Sequence, residues 1–182
     1  AGWFDDQALP RGAGGSGSLG VTQLLVDDFF MKDGKMPILG YNNSGETQTA
    51  IVDLESGYSE TGYSTEDDVR ANWHYAVAGS KASGDRHVVA PKNTFNMYCN
   101  REPRFYISVV YNEQYHWGKG KATNFFFNGE DGQPSHDNPS AGYLIRKHVD
   151  PTFVHSTNTG SYKSRQGILY RLAEAYLSYA ES

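Results

Sequence analysis

Cysteine is almost missing from this sequence, because Cys99 is the single one among 182 residues. An internal disulfide framework and a cysteine-based zinc site are therefore excluded. Lysine and arginine form no cluster, and the formal net charge is −5. Because nucleic-acid binding needs a basic surface, no nucleic-acid ligand is expected. No apolar run in the sequence reaches the roughly 18 residues of a membrane-spanning helix.

Catalytic signatures are missing as well. The acidic neighbours Asp27-Asp28, 66–68 and Glu130-Asp131 are adjacent in sequence, and adjacent side chains diverge and do not flank one scissile bond. There is no nucleophile elbow, phosphate-binding loop or His-Glu-x-x-His motif. The sequence therefore favours a non-catalytic protein, although two distant carboxylates could still converge in space.

No cofactor or metal is expected. Asp131, Asp137 and Asn138 carry oxygens that suit calcium, but their spacing matches no EF-hand loop. His148 and His155 lack a third ligand for zinc. We therefore interpret the acidic loop as a solvated turn.

Aromatic residues and glycine are plentiful, at 14% of the chain and 20 residues respectively. This composition is typical of a loop-rich globular domain with an excess of rings. Residues 1–20 contain the run GAGGSGS, which has few side chains to offset the entropy of ordering. We predict a flexible glycine-rich lead there.

Local signals predict short helices and a turn in the first half. Thr22 is placed to cap a helix over 23–28. Asp33-Gly34 predicts a hairpin turn between FFMK and KMPI. Residues 40–63 should be mostly loop with one possible strand, TAIVDL. Ser64 begins STEDDVRANW, a capping-box-like start that predicts another short helix.

The second half favours strands and a final helix. RFYISVVY, residues 104–111, is rich in β-branched and aromatic residues and predicts a strand whose rings fill the core. KATNFFF, residues 121–127, predicts its partner, so that EQYHWGKG closes a hairpin. Residues 165–182 predict an amphipathic helix without a stop signal. The predicted fold class is α+β, loop-rich, with one β-hairpin and short helices.

Four segments together resemble the SusD/RagB family of glycan-binding lipoproteins, in their order and their spacing. They are TQLLVDDFFMKDGKMP, MYCNREPRFYISVVYN, GYLIRKHVDP and ILYRLAEAYLSYAES. The resemblance implies that residues 1–182 form part of a longer family domain. It also implies that the helix over 165–182 begins a tetratricopeptide-like (TPR-like) scaffold.

The resemblance further implies a surface-exposed protein of the outer membrane that binds oligosaccharide or polysaccharide without cleaving it. Such a protein delivers its ligand to a SusC-like TonB-dependent transporter. Family members are held to the membrane by a lipid on an N-terminal cysteine. Cys99 lies in mid-chain and cannot be that anchor, so we expect the anchor outside these residues.

Four aromatic residues are candidate glycan platforms: Trp73, Tyr75, Tyr115 and Trp117. Tyr115 and Trp117 lie in the polar turn of the predicted hairpin, and Trp73 and Tyr75 follow the predicted acidic helix. Flat rings beside polar groups suit the apolar faces and hydroxyls of sugars. Alternatively, Trp117 folds back over the hairpin, which we favour, and Trp73 is a core residue.

Other readings remain open. Tyr41, Tyr58 and Tyr63 lie among Gly, Asn and Ser, and each is interpreted as a surface or packing tyrosine. This portion could serve the transporter and the scaffold while the sugar site lies elsewhere. A glycoside hydrolase is the least favoured alternative.

Overall fold

The computed structural model describes residues 2–43, 45–71, 73, 88–117, 119–134, 137–150 and 171–181. Within them, short helices and two-stranded ribbons alternate with loops. The helices are α1 (Gly2–Ala8), α2 (Gln23–Asp27), α3 (Pro103–Ser108) and α4 (Leu172–Glu181). The strands are β1 (Ile38–Asn42), β2 (Thr49–Val52), β3 (Asp68–Val69), β4 (Val88–Ala90), β5 (Val109–Val110), β6 (Tyr115–His116), β7 (Lys121–Ala122) and β8 (Leu144–Ile145). This mixture is compatible with the predicted α+β class.

All strand pairs among the described residues are antiparallel ribbons: β1–β2, β3–β4, β5–β8 and β6–β7. The longest strand, β1, has only five residues. Short two-stranded ribbons are marginally stable by themselves. Contacts between side chains must therefore hold the ribbons together.

The predicted cap of α2 is confirmed. The Thr22 side chain accepts a hydrogen bond from the Leu25 N–H at 3.3 Å, and the helix ends at Asp27. The predicted strand in TAIVDL is also present, as β2, but its partner is β1.

The turn at Asp33-Gly34 forms, with the Met31 N–H donating to the Lys35 carbonyl at 2.9 Å. Its predicted strand partners are wrong, however, because Met31 bridges to Arg101 and the following strand pairs with β2.

The predicted strand over 104–111 is wrong for most of its length. Pro103 occupies the first turn of α3, where its missing N–H costs nothing. Phe105 and Tyr106 of this helix are both fully buried. The core role predicted for Phe105, Tyr106 and Tyr111 is confirmed, since all three are 0% exposed.

The predicted hairpin also has different partners. Strand β5 pairs with β8. The observed hairpin joins β6, which lies within the predicted turn, to β7, which begins the predicted strand over 121–127. In this hairpin Tyr115 faces Ala122 and His116 faces Lys121.

The predicted helix beginning at Ser64 is wrong. The Ser64 hydroxyl accepts from the Thr94 N–H at 3.1 Å and donates to the Pro91 carbonyl at 3.2 Å, so it does not cap a helix. Asp68 and Val69 form β3 against β4. Contacts with a distant segment thus override the local capping signal.

The glycine-rich lead makes specific contacts where composition predicts flexibility. Backbone N–H groups of Ser16 and Gly17 donate to carbonyls of Asp6 and Leu9 at 2.9 and 3.0 Å. Gly15 is buried, and a β-carbon there would lie 2.3 Å from the Leu9 carbonyl oxygen. Glycine permits this close packing beside α1, a helix that the sequence analysis did not predict.

Asp131 is not a solvated residue of an acidic turn. Its carboxylate is fully buried, pairs with the buried Lys119 ammonium and accepts from the Gly12 and Asn124 N–H groups at 2.7 and 2.8 Å. Asp131 therefore ties the glycine-rich lead to the β6–β7 hairpin.

Helix α4 falls inside the predicted helix over 165–182, and residues 165–170 and 182 lie outside the described residues. Its Leu172, Tyr176 and Leu177 side chains are at least 65% exposed. No helix of the described residues is long and apolar enough to cross a membrane.

Arg101 is the central polar residue of the interior. It is 0% exposed, and its guanidinium donates to the carbonyls of Val26, Phe29 and Met97. The same guanidinium lies 5.2 Å from the ring centroid of Phe105. Burial lowers the pKa of Arg101, and the carbonyl and ring contacts compensate the buried charge.

We predict that Arg101→Ala strongly destabilises the protein. The substitution leaves a cavity and removes the partners of buried carbonyls, which should lower the free energy of unfolding by about 3–5 kcal/mol. Urea unfolding followed by circular dichroism measures the change. Arg104→Ala is the control, since Arg104 is exposed and pairs with Glu102; equal effects of the two substitutions would contradict the prediction.

We also predict a histidine-dependent loss of stability in acid. Burial, with nearby Arg146 and Lys119, lowers the pKa of His116 to about 3. An unfolded histidine titrates near pH 6.5, so between about pH 6.5 and 3 protons bind the unfolded chain preferentially and favour unfolding. His116→Gln should flatten the fall of the melting temperature over this range. His148→Gln, at an exposed histidine, should leave the profile steep; a steep profile in both variants would show that His116 is not responsible.

Candidate functional site

Residues 61–69 run antiparallel to residues 88–96. The Ser64 N–H donates to the Thr94 carbonyl at 2.8 Å and the Asn93 N–H donates to the Ser64 carbonyl at 2.9 Å. Further along, Asp68 pairs with Ala90. These backbone contacts, which we call the ladder, fix the position of the Tyr63 main chain.

A tight turn begins the ladder. Gly62 has a φ of +78°, which favours glycine. The Asn96 N–H donates to the Gly62 carbonyl at 3.0 Å, and the Asn96 amide donates to the Thr61 carbonyl at 2.8 Å. The turn thereby places Tyr63 opposite Phe95.

A groove of about 610 Å³ opens beside the ladder. We call it the Tyr63 groove; it is lined by residues 63–69, Asn96, residues 99–100 and Lys32. Its volume falls within the roughly 300–1,000 Å³ that is usual for small-molecule sites.

The ladder forms one wall of the Tyr63 groove. The second wall is a pair of hydrogen bonds between Lys32 and Asn100, here called the clamp, which joins two loops. The Lys32 ammonium donates to the Asn100 side-chain oxygen at 2.7 Å, and the Lys32 N–H donates to the Asn100 carbonyl, also at 2.7 Å. Cys99 lies beside this clamp at 7% exposure, and burial raises the pKa of its thiol. The lining is therefore mostly polar, and the Cys99 thiol is held protonated at neutral pH.

The Tyr63 ring is 54% exposed. It meets the Phe95 ring edge-on, with the centroids 5.6 Å apart. Ser64, Thr65 and Glu66 follow it along the groove. An anchored but accessible ring with hydroxyl and carboxylate neighbours can stack against the apolar face of a sugar while the polar groups bind its hydroxyls.

Trp73 lies in the core. It is 9% exposed and meets the Tyr106 ring edge-on at 5.8 Å. This geometry fits the alternative that Trp73 is a core residue. Tyr75 lies outside the described residues.

Tyr115 and Trp117 lie on and just after β6, outside the lining of the Tyr63 groove. The Trp117 ring stacks on the His116 ring at 4.1 Å, and the Arg146 guanidinium lies 4.9 Å from its centroid. Trp117 also packs against the cluster that contains Leu9. Its geometry fits the fold-back alternative, while Tyr115 is partly exposed.

Tyr63 was interpreted from the sequence as a surface or packing tyrosine and not as a candidate site residue. It follows Gly62 and precedes a run of Ser, Thr, Glu and Asp. That is the same pattern, a ring next to glycine and polar residues, that selected Trp117. Tyr58, interpreted in the same way as Tyr63, is indeed a packing residue at 5% exposure.

Comparison with known proteins identifies the family. The model of the SusD family matches residues 3–182. Searches of curated proteins and of solved structures gave no match. Because the match covers nearly the whole chain, this protein belongs to the SusD family.

Proposed function

We propose that this protein binds an oligosaccharide or polysaccharide at the cell surface without cleaving it and passes it to a SusC-like TonB-dependent transporter. Membership of the SusD family supports glycan binding for uptake and association with the outer membrane. The accessible Tyr63 ring in a polar groove is the observation that carries the proposal for this chain.

The Tyr63 groove suits weak binding. One stacking ring contributes about 0.5–1.5 kcal/mol beyond its buried area, and each hydrogen bond contributes about 1 kcal/mol net. A few such contacts correspond to a dissociation constant near the millimolar range, roughly −4 kcal/mol. Weak binding fits a protein that must release its ligand to a transporter.

Two of the rings selected from the sequence, Tyr115 and Trp117, lie on the β6–β7 hairpin and form a second candidate surface. Trp73 is buried in the core, and Tyr75 lies outside the described residues. Their role as platforms remains a prediction. It is separable from the Tyr63 groove because neither Tyr115 nor Trp117 lines that groove.

Docking is the second candidate function. Leu172, Tyr176 and Leu177 of α4 are strongly exposed, and Leu172 and Tyr176 lie four residues apart on one helical face. We propose that α4 belongs to the TPR-like scaffold of the family. In this alternative the chain contacts the scaffold and the transporter, and the sugar site lies elsewhere.

We predict that Tyr63→Ala weakens glycan binding by roughly two- to twelvefold, the loss expected for one stacking ring. Isothermal titration with a panel of neutral and acidic oligosaccharides measures the affinity, after circular dichroism has confirmed folding. Tyr63→Phe should retain affinity because it keeps the ring.

Tyr179→Ala removes a ring of α4 that is 83% exposed and serves as the matched control. Unchanged affinity in a folded Tyr63→Ala protein would place the sugar site elsewhere. Loss of affinity in Tyr115→Ala or Trp117→Ala instead would favour the β6–β7 hairpin. No binding to any glycan would favour docking.

We predict that no new reducing ends appear when a bound glycan is incubated with the protein. The acidic residues lining the groove are Glu66, Asp67 and Asp68. They are sequence neighbours, an arrangement that does not flank a glycosidic bond from two sides. A reducing-sugar assay over a long incubation checks this, with heat-denatured protein as the blank. Enzyme-dependent release of reducing ends would replace the binding role with a hydrolase.

A further inference from the structure

Negative charge lies next to the Tyr63 ring. Glu66 and Asp67 are exposed and line the Tyr63 groove. The Lys92 N–H donates to the Asp67 carboxylate at 2.5 Å, which orients this group without neutralising it. Within the described residues neither Glu66 nor Asp67 forms an ion pair.

Within the part of the chain that the structure describes, the nearby positive groups form no ion pair with Glu66 or Asp67. Arg70 pairs with Asp68 at 2.7 Å, so these two neutralise one another. Lys32 is held on the opposite wall by its 2.7 Å hydrogen bond to Asn100. The exposed Lys92 side chain forms no ion pair with either carboxylate among the described residues. Among the described residues Glu66 and Asp67 therefore have no ion-pair partner, and the Lys32 ammonium lies on the opposite wall of the groove.

This charge distribution has a chemical consequence for a sugar that stacks on Tyr63. Carboxylates accept hydrogen bonds from sugar hydroxyls, and a charged acceptor makes a stronger bond than a neutral one. A carboxylate or sulfate on the sugar would meet Glu66 and Asp67 as like charges. An amine on the sugar would meet them as opposite charges.

We propose that the Tyr63 groove selects uncharged or amine-bearing glycans and rejects glycans that carry carboxylate or sulfate groups, with Glu66 and Asp67 as the specificity-determining residues. This inference rests on the glycan-binding function proposed above. Repulsion between two like unit charges about 5 Å apart in water-like surroundings lowers affinity by roughly fourfold, and by more where water is partly excluded from the site. Salt should reduce the discrimination because the carboxylates are exposed.

The test compares ligands that differ only in charge. A neutral oligosaccharide that binds the protein is oxidised at its primary alcohols to carboxylates, and both forms are titrated at low and moderate salt. We expect the oxidised form to bind roughly four- to tenfold more weakly at low salt. Added salt should narrow this difference.

Substitutions then locate the effect. Glu66→Gln keeps the shape of the side chain but removes its charge and replaces one acceptor oxygen by an amide donor. Binding of the neutral form should weaken by the loss of a charged acceptor, so the ratio of the two affinities is the readout, and it should shrink by roughly fourfold. Glu55→Gln makes the same charge change outside the groove lining and should alter neither affinity.

The outcomes separate this inference from the proposed function. If the neutral form binds in a Tyr63-dependent way and the oxidised form binds as tightly at low salt, the charge selection is wrong and glycan binding stands. If Glu55→Gln and Glu66→Gln act alike, the selection does not arise in the groove and the inference is overturned. If no glycan binds, both ideas fall. If a glycan binds and Tyr63→Ala leaves its affinity unchanged, the sugar site lies elsewhere and the charge selection by the Tyr63 groove is overturned.

Discussion

The buried Arg101 guanidinium donates to the main-chain oxygens of Val26 within helix α2, of Phe29 just after this helix and of Met97 in its own segment. The ribbons around it are too short to organise the fold by backbone pairing alone. Arg101 instead supplies several fixed donors at one point, and the Phe105 ring covers its charge. The residues 97–106 therefore act as a hub to which the first half of the chain is attached.

The Tyr63 groove depends on this hub. Its second wall, Lys32 with Asn100, lies directly beside the Met31–Arg101 bridge. Its first wall is the ladder of residues 61–69, held through Thr94 and Asn96. Both walls thus join the segment that leads into Arg101. The groove is shaped by the same residues that stabilise the interior, while the Tyr63 ring that faces solvent contributes little to the core.

Patterns of residues a few positions apart correctly predicted the elements that are held by contacts between near neighbours. The same patterns failed for the elements that are held by contacts with distant segments. Thr22 caps its helix because the partner N–H is three residues away. Ser64 looked like a cap but bonds to a segment about thirty residues later, which no local pattern reveals. Pro103 occupies the first turn of α3, but the prediction rested on the β-branched and aromatic residues after it and made no use of this proline. The site residues could not be selected because the sequence does not give the exposed fraction of a side chain. Trp73 and Tyr63 both lie near polar residues in the sequence, but Trp73 is 9% exposed and Tyr63 is 54% exposed.

Cys99 carries the single thiol of the chain and lines the Tyr63 groove, and this position determines its reactivity. Cys99 is buried, its pKa is raised, and its sulfur lies 3.8 and 3.6 Å from the Thr94 and Phe95 carbonyl oxygens. A buried, protonated thiol is a poor nucleophile and resists oxidation. In the folded protein the Cys99 thiol is therefore unreactive, and we expect no disulfide between two copies of the chain. It becomes reactive only when the ladder that covers it opens, and the rate of thiol alkylation therefore reports how often the wall of the groove comes apart.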